Sequence, residues 1–129
     1  SAGIGCTPML AMLEQLTATG HTGPVTVVHA DRSPSVHALR TDHEALTAKL
    51  PGATAHFWYE HPAEEVVGDG HHTGRVDLTD VPIAPGTRAY LCGPLPFMRT
   101  VRGQLLDRGA AASDIHYEVF GPDLWLAAS

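Results

Sequence analysis

Short β-branched runs alternate along this chain with stretches whose apolar residues recur at helical spacing, and no other feature of the sequence restricts its fold as much. Strand-type runs occupy residues 24–30 (PVTVVHA), 53–60 (ATAHFWYE), 87–92 (TRAYLC) and 114–119. Between them, residues 7–18 put Met9, Leu10, Met12, Leu13 and Leu16 on one helical stripe, with Gly20 as a stop. Residues 35–50 carry Val36, Leu39, Leu46 and Leu50 at burial spacing and end at Pro51-Gly52. Residues 94–109 carry Met98, Val101, Leu105 and Leu106, with Gly109 in the C-cap region. Such alternation predicts an α/β fold, a doubly wound parallel sheet with helices on both faces. Residues 61–74 read as a polar loop, and the tail GPDLWLAAS brings Trp125 and two leucines that must pack somewhere.

In folds of this kind a glycine-rich turn follows the first strand, whereas here the glycines stand in the opening SAGIGCTPM. The expectation is a piece of a longer chain whose opening strand lies outside it. Gly3 and Gly5 let a backbone come close to a ligand, Thr7 suits a helix N-cap and Pro8 the first helical position. A helix start also points unpaired N–H groups and a partial positive charge outward, which makes a site for a pyrophosphate. A tight turn before a capped helix, with no ligand, uses the same residues. The stretch LCGPLPFM, residues 91–98, again joins a strand end to a helix, at the rim where open α/β sheets bind ligands. Cys92 is there either a buried inert thiol or part of a site. In a third stretch, His116-Tyr117-Glu118-Val119-Phe120-Gly121-Pro122, an extended run stops on an aromatic just before Gly-Pro.

Composition narrows the partners. A net charge of -6 repels a phosphate backbone, so nucleic acid is not expected. No apolar run approaches the roughly 20 residues that span a bilayer, and the opening lacks a signal-peptide pattern, so a soluble, cytoplasmic protein with no membrane partner is expected. Two cysteines, Cys6 and Cys92, are too few for a disulfide scaffold, and both are expected reduced and near one another at the strand-end rim. Of nine histidines only His71 and His72 stand together, and no cysteine pair has ligand spacing. The histidines read as scattered surface and loop imidazoles, without a metal site.

Taken together, GxGxTPM at residues 3–9, VVHADRS at 27–33, CGPLPFM at 92–98 and HYEVFGP at 116–122 resemble, in this order, the NAD(P)H-binding domain of the ferredoxin-NADP reductase superfamily, of the flavohemoglobin (flavohemoprotein) type. The resemblance covers essentially the whole chain. It implies that residues 1–129 form one NAD(P)H-binding domain of a longer protein, an oxidoreductase module that delivers hydride from NAD(P)H to FAD. In a flavohemoglobin the electrons go on to heme and dioxygen and convert nitric oxide to nitrate. The resemblance makes Gly3, Ile4, Gly5, Cys6, Thr7 and Pro8 the loop that holds the nucleotide phosphates, with Thr7 near the nicotinamide. It sets Cys92, with Gly93 and Pro94, where hydride passes, and gives Glu118 the tuning of the flavin, so that Cys92 and Glu118 are the catalytic candidates. Val119, Phe120, Gly121 and Pro122 are implied to touch FAD, with Phe120 over the isoalloxazine ring.

At the close of the strand-type run 24–30, Asp31 suits a ribose 2′-hydroxyl and hence NADH, whereas Arg32 and Ser33 suit the 2′-phosphate of NADPH; an exposed ion pair between Asp31 and Arg32 is the plainer alternative. No arginine-tyrosine-serine FAD cradle occurs in the chain, so FAD is expected to be held mostly by an upstream FAD-binding domain, with a globin domain as a further partner in the same parent chain. Two rivals are the corresponding domain of an oxygenase reductase feeding an iron–sulfur centre and a non-catalytic nucleotide-binding module.

Overall fold

The computed structural model describes residues 1–61 and 70–118. In chain order it contains α1 (Cys6–Ala18), β1 (Val25–Asp31), α2 (Arg40–Lys49), β2 (Ala53–Tyr59), β3 (His71–Thr73), β4 (Ala89–Cys92), α3 (Leu95–Asp107) and β5 (Ile115–Glu118). Every strand pair is parallel, in the orders β1-β2-β3 and β4-β5. Ser1 and Ala2 sit between the two groups of strands. The Ser1 nitrogen donates to Val28 O at 2.7 Å and Ala30 N donates to Ser1 O at 2.9 Å, while Ala2 N donates to Cys92 O at 3.1 Å. Two residues thus tie β1 to β4.

Side chains alternate across the strands, as a pleated backbone requires. Val27 on β1 packs with Leu13 of α1 and Leu50 after α2, and Phe57 and Tyr59 of β2 share that side. Trp58 of β2, Leu91 of β4 and Ile115 of β5 instead meet Met98, Val101 and Leu105 of α3. This is the expected doubly wound arrangement, with α1 and α2 on one face and α3 on the other.

Three local expectations change. The first helix begins at Cys6, with Gly5 as N-cap residue and no side-chain cap, so Thr7 is not the cap and Pro8 is not the first helical residue. Pro8 is nonetheless tolerated because the first turn of a helix uses none of its N–H groups internally. Met12 of the same helix is 37% exposed, off the buried stripe of Leu10 and Leu13. The helix expected over 35–50 is broken: a 3-10 turn covers Pro34–Val36, Leu39 adopts φ 54°, and α2 starts only at Arg40. The break leaves Val36 and Leu39 about half exposed and carries His37, His43 and Thr47 inward instead. A third difference is β3, which pairs with β2 inside the stretch read as a polar loop.

The loop before β4 is tied to the end of α3 by two side chains. Gln104 accepts from Leu78 N at 2.8 Å and donates to Val76 O at 3.0 Å, while the Arg108 guanidinium donates to the carbonyls of Leu78 and Val81. Among the described residues no helix is long and apolar enough to cross a membrane. The expected packing of Trp125 and the residues Val119, Phe120, Gly121 and Pro122 lie outside the described residues.

Candidate functional site

At the C-terminal ends of the strands a cleft of about 460 Å³ opens between the glycine turn, the tip of β1 and the start of α3. Gly3, Asp31, Arg32 and Pro94 line it, so the structure brings four of the sequence-predicted residues to one wall. Ala2, Ala30, Val76, Phe97 and Thr100 complete much of the rest. Phe97 belongs to the CGPLPFM motif, whereas Val76 and Thr100 carry no sequence signal beyond their apolar or small character.

The two glycines of the opening do different things. Gly3 adopts φ 55°, and a β-carbon there would meet nothing within 4 Å, so its backbone is open to the cleft. Gly5 is buried, and a β-carbon there would stand 2.3 Å from Cys92 O. The residues Gly3–Gly5, with Ile4 between, form a 3-10 turn that runs directly into α1. Since no side chain caps α1, its first N–H groups keep the donors and partial positive charge that suit an anion. Thr7 is exposed and Pro8 half-buried in that first turn. Cys6 is fully buried with its thiol donating to Ala38 O at 3.4 Å, and burial pushes the thiol pKa up. A thiol with a raised pKa stays protonated near neutral pH.

Cys92 closes β4, is fully buried, and lies off the cleft wall. Neither it nor Cys6 is in a disulfide. Gly93 follows, with Ala2 and Phe97 packed against it. Across the β4–β5 ladder Cys92 pairs with Glu118, so the backbones of the two catalytic candidates are register neighbours.

Asp31 is held from two sides. Its Oδ2 lies 3.1 Å from His29 Nε2 and its Oδ1 accepts from Arg32 N at 3.2 Å. Burial raises the Asp31 pKa, with the Arg32 N–H and guanidinium acting in the opposite direction. No Asp31–Arg32 side-chain ion pair is found; the partner of the carboxylate is His29.

The reading of scattered histidines is overturned. His29, His37 and His43 are all buried, and one ring nitrogen from each lies within 4.8 Å of the others. His29 and His37 stack at 3.9 Å between centroids, and His37 Nδ1 is 2.7 Å from Tyr59 OH and its Nε2 3.2 Å from His43 Nδ1. With Ser1 Oγ at 2.8 Å from His29 Nδ1, five of the six ring nitrogens have partners, and His43 Nε2 has none among the described residues. Two of the rings lie face to face rather than edge-on to a common point, so the group is built as a hydrogen-bonded imidazole core. Burial, the largest cause, holds His29 down at about 2 and His37 and His43 at about 4, so all three are neutral near pH 7. Sequence spacing missed the cluster because its members come from β1, the turn before α2 and α2 itself.

The sequence profile of the oxidoreductase NAD-binding domain family matches residues 1–103. The flavohemoprotein of Bordetella pertussis is 44% identical over 126 residues, covering 94% of this chain and 31% of that protein. Flavohemoglobin from Malassezia yamatoensis superposes with a TM-score of 0.81 at 34% identity, over 93% of this chain and 30% of that one. The flavohem-like FAD/NAD-binding domain of nitric oxide dioxygenase from Vibrio cholerae O1 biovar El Tor gives a TM-score of 0.81 at 35% identity, over 94% of this chain and 49% of that one. The chain spans 31% of the length of the curated relatives it matches. On the profile match over most of its length, and with a fold shared with these reductase domains, the chain belongs to the oxidoreductase NAD-binding domain family and resembles the corresponding domain of flavohemoproteins.

Proposed function

We propose that this domain binds NAD(P)H across the strand-end cleft and presents it to FAD carried by another domain of the same parent protein, from which electrons pass to heme in a nitric oxide dioxygenase of flavohemoglobin type. One observation carries the reading: the open backbone of Gly3, in the turn that runs into the uncapped start of α1, lines a cleft that Asp31, Arg32 and Pro94 also line. These features fit a dinucleotide, with N–H groups for the phosphates and a carboxylate at the tip of β1 for a ribose. When bound, the nicotinamide supplies the hydride chemistry. This chain binds and orients: the turn at Gly3, Ile4 and Gly5 receives the phosphates, and Pro94 and Phe97 line the cleft beside it.

Further support comes from the relatives, of which the Malassezia protein was solved with bound FAD and heme and the Vibrio domain belongs to a nitric oxide dioxygenase. Cys92 and Glu118 pair in register at the end of the β4–β5 ladder, and the resemblance to flavohemoglobins gives them their proposed place on the hydride path. A cytoplasmic setting suits two buried thiols that form no disulfide.

The test is calorimetric titration of the intact parent protein with NADH and NADPH, followed by anaerobic mixing with NADH while the flavin and heme absorbances are recorded. Saturable binding, lost on Gly3→Val, and flavin reduction followed by heme reduction are expected. Absence of binding overturns the nucleotide reading. Flavin reduction without any heme reduction favours a reductase that serves a different acceptor.

A further inference from the structure

We propose that His29 is a positioning residue that holds the Asp31 carboxylate toward the adenine-side ribose and so makes this domain selective for NADH over NADPH. The inference rests on the nucleotide-binding reading above and adds to it the coenzyme class and a buried residue that acts without touching the ligand.

The imidazole of His29 is fully buried on β1 and has no freedom to turn. His37 stacks on it at 3.9 Å, Ser1 Oγ lies 2.8 Å from its Nδ1 and Asp31 Oδ2 lies 3.1 Å from its Nε2. A carboxylate only accepts, so Nε2 carries the proton toward Asp31, and Nδ1 accepts from the Ser1 hydroxyl. Burial keeps the ring neutral. That matters for what it does to Asp31. A cation in this place would cancel much of the carboxylate charge, whereas a neutral donor fixes its orientation and leaves the charge in place.

Asp31 has its second oxygen fixed by Arg32 N at 3.2 Å, and its side chain is 11% exposed on the wall of the cleft beside Gly3 and Ala30. Each carboxylate oxygen therefore has one donor already and room to accept another. A ribose 2′-hydroxyl can donate to such an oxygen, whereas a 2′-phosphate would bring its negative charge against a carboxylate that cannot swing away. Arg32 also lines the cleft but is exposed, so solvent screens its opposition to this repulsion, whereas the Asp31 carboxylate is largely buried. The other charged groups on this part of the cleft are Glu60 and Arg75, whose side chains lie 3.7 Å apart and largely offset each other.

The experiment is steady-state kinetics of the intact parent protein with NADH and with NADPH, together with direct binding of both. Wild type is expected to prefer NADH. Asp31→Asn keeps the size of the side chain and removes its charge, and it is expected to lower the NADH-to-NADPH ratio of kcat/KM by roughly 10- to 100-fold, the range set by a hydrogen bond to a charged acceptor. His29→Leu, which removes the donor, is expected to raise KM for NADH with little change in kcat and little change in KM for NADPH. His29→Gln, which offers an amide donor, is expected to restore part of the loss. A purely structural His29 would move both coenzymes alike, and that result overturns the positioning role. Should His29→Leu fail to fold, Asp31→Asn still decides: a coenzyme ratio within twofold of wild type overturns the proposal, as does a wild-type preference for NADPH. Failure to bind either coenzyme would instead strike the nucleotide reading itself.

Discussion

Gly5 lies directly against the carbonyl of Cys92: a β-carbon at Gly5 would stand 2.3 Å from that oxygen and 2.8 Å from the nitrogen of Gly93. Both neighbours are backbone and cannot rotate away. Gly5→Ala is therefore expected to destabilise the protein at the upper end of the overpacking range, about 3 kcal/mol, seen as a lower urea midpoint at unchanged slope. An unchanged midpoint would mean that the turn and β4 do not pack as described.

Gly3 separates from Gly5 in the same assay. A residue other than glycine at φ 55° costs only about 1–2 kcal/mol of backbone strain, and its β-carbon would meet no protein atom within 4 Å. Gly3→Ala is expected to leave a folded protein with a raised KM for the nicotinamide coenzyme. Stability loss without any change in KM would remove Gly3 from the phosphate site.

The imidazole core makes the domain sensitive to acid. His37 and His43, with folded pKa values of about 4, and His29, at about 2, stay neutral while the unfolded chain takes protons below the ordinary value of 6.5. Stability is thus complete above pH 6.5 and is lost as the pH falls toward 4, at about 1.4 kcal/mol per pH unit for each proton taken up on unfolding. Urea midpoints measured between pH 7 and pH 4.5 should fall with a slope near three protons, and His43→Leu should lower that slope by about one. A flat profile across this range would show that the rings are not buried neutral.

Tyr59 is fully buried with its hydroxyl 2.7 Å from His37 Nδ1, and burial pushes its own pKa up to about 12. Tyr59→Phe leaves a buried ring nitrogen without a partner, which costs about 1–3 kcal/mol. Thermal unfolding should report that loss, while KM for the coenzyme stays at its wild-type value because Tyr59 does not line the cleft.

Gln104 joins α3 to the loop before β4 through Leu78 N and Val76 O. Gln104→Ala should cost about 1–3 kcal/mol, two backbone groups losing their partner in a partly buried place. Hydrogen exchange at the Leu78 amide should speed up; unchanged exchange would mean that the loop is held by other contacts.

The helical stripes and β-branched runs were legible in the sequence because they follow local periodicity. Leu10 and Leu13 of α1 and Met98, Val101 and Leu105 of α3 all emerge buried as their spacing requires. Their order also implied a parallel sheet with helices on both faces. The glycine turn and the CGP corner announced a ligand rim, since each joins a strand end to a helix.

Other features needed the folded chain. β3 is too short and too polar for periodicity to mark, and it exists because Phe57–Tyr59 offer it a ladder edge. The break before α2 places Leu39 at φ 54° so that His37 can enter the core, an exchange that no local propensity favours. The difference between Gly3 and Gly5 depends on the approach of Cys92, some 90 residues away in sequence. Residue types and their spacing determined the layers of this protein and the strand-end edge at which its cleft lies. Which glycine is open, which histidines meet and which carboxylate is held were decided by contacts between elements distant in sequence, because hydrogen bonds and steric exclusion act over a few ångströms in space whatever the separation along the chain.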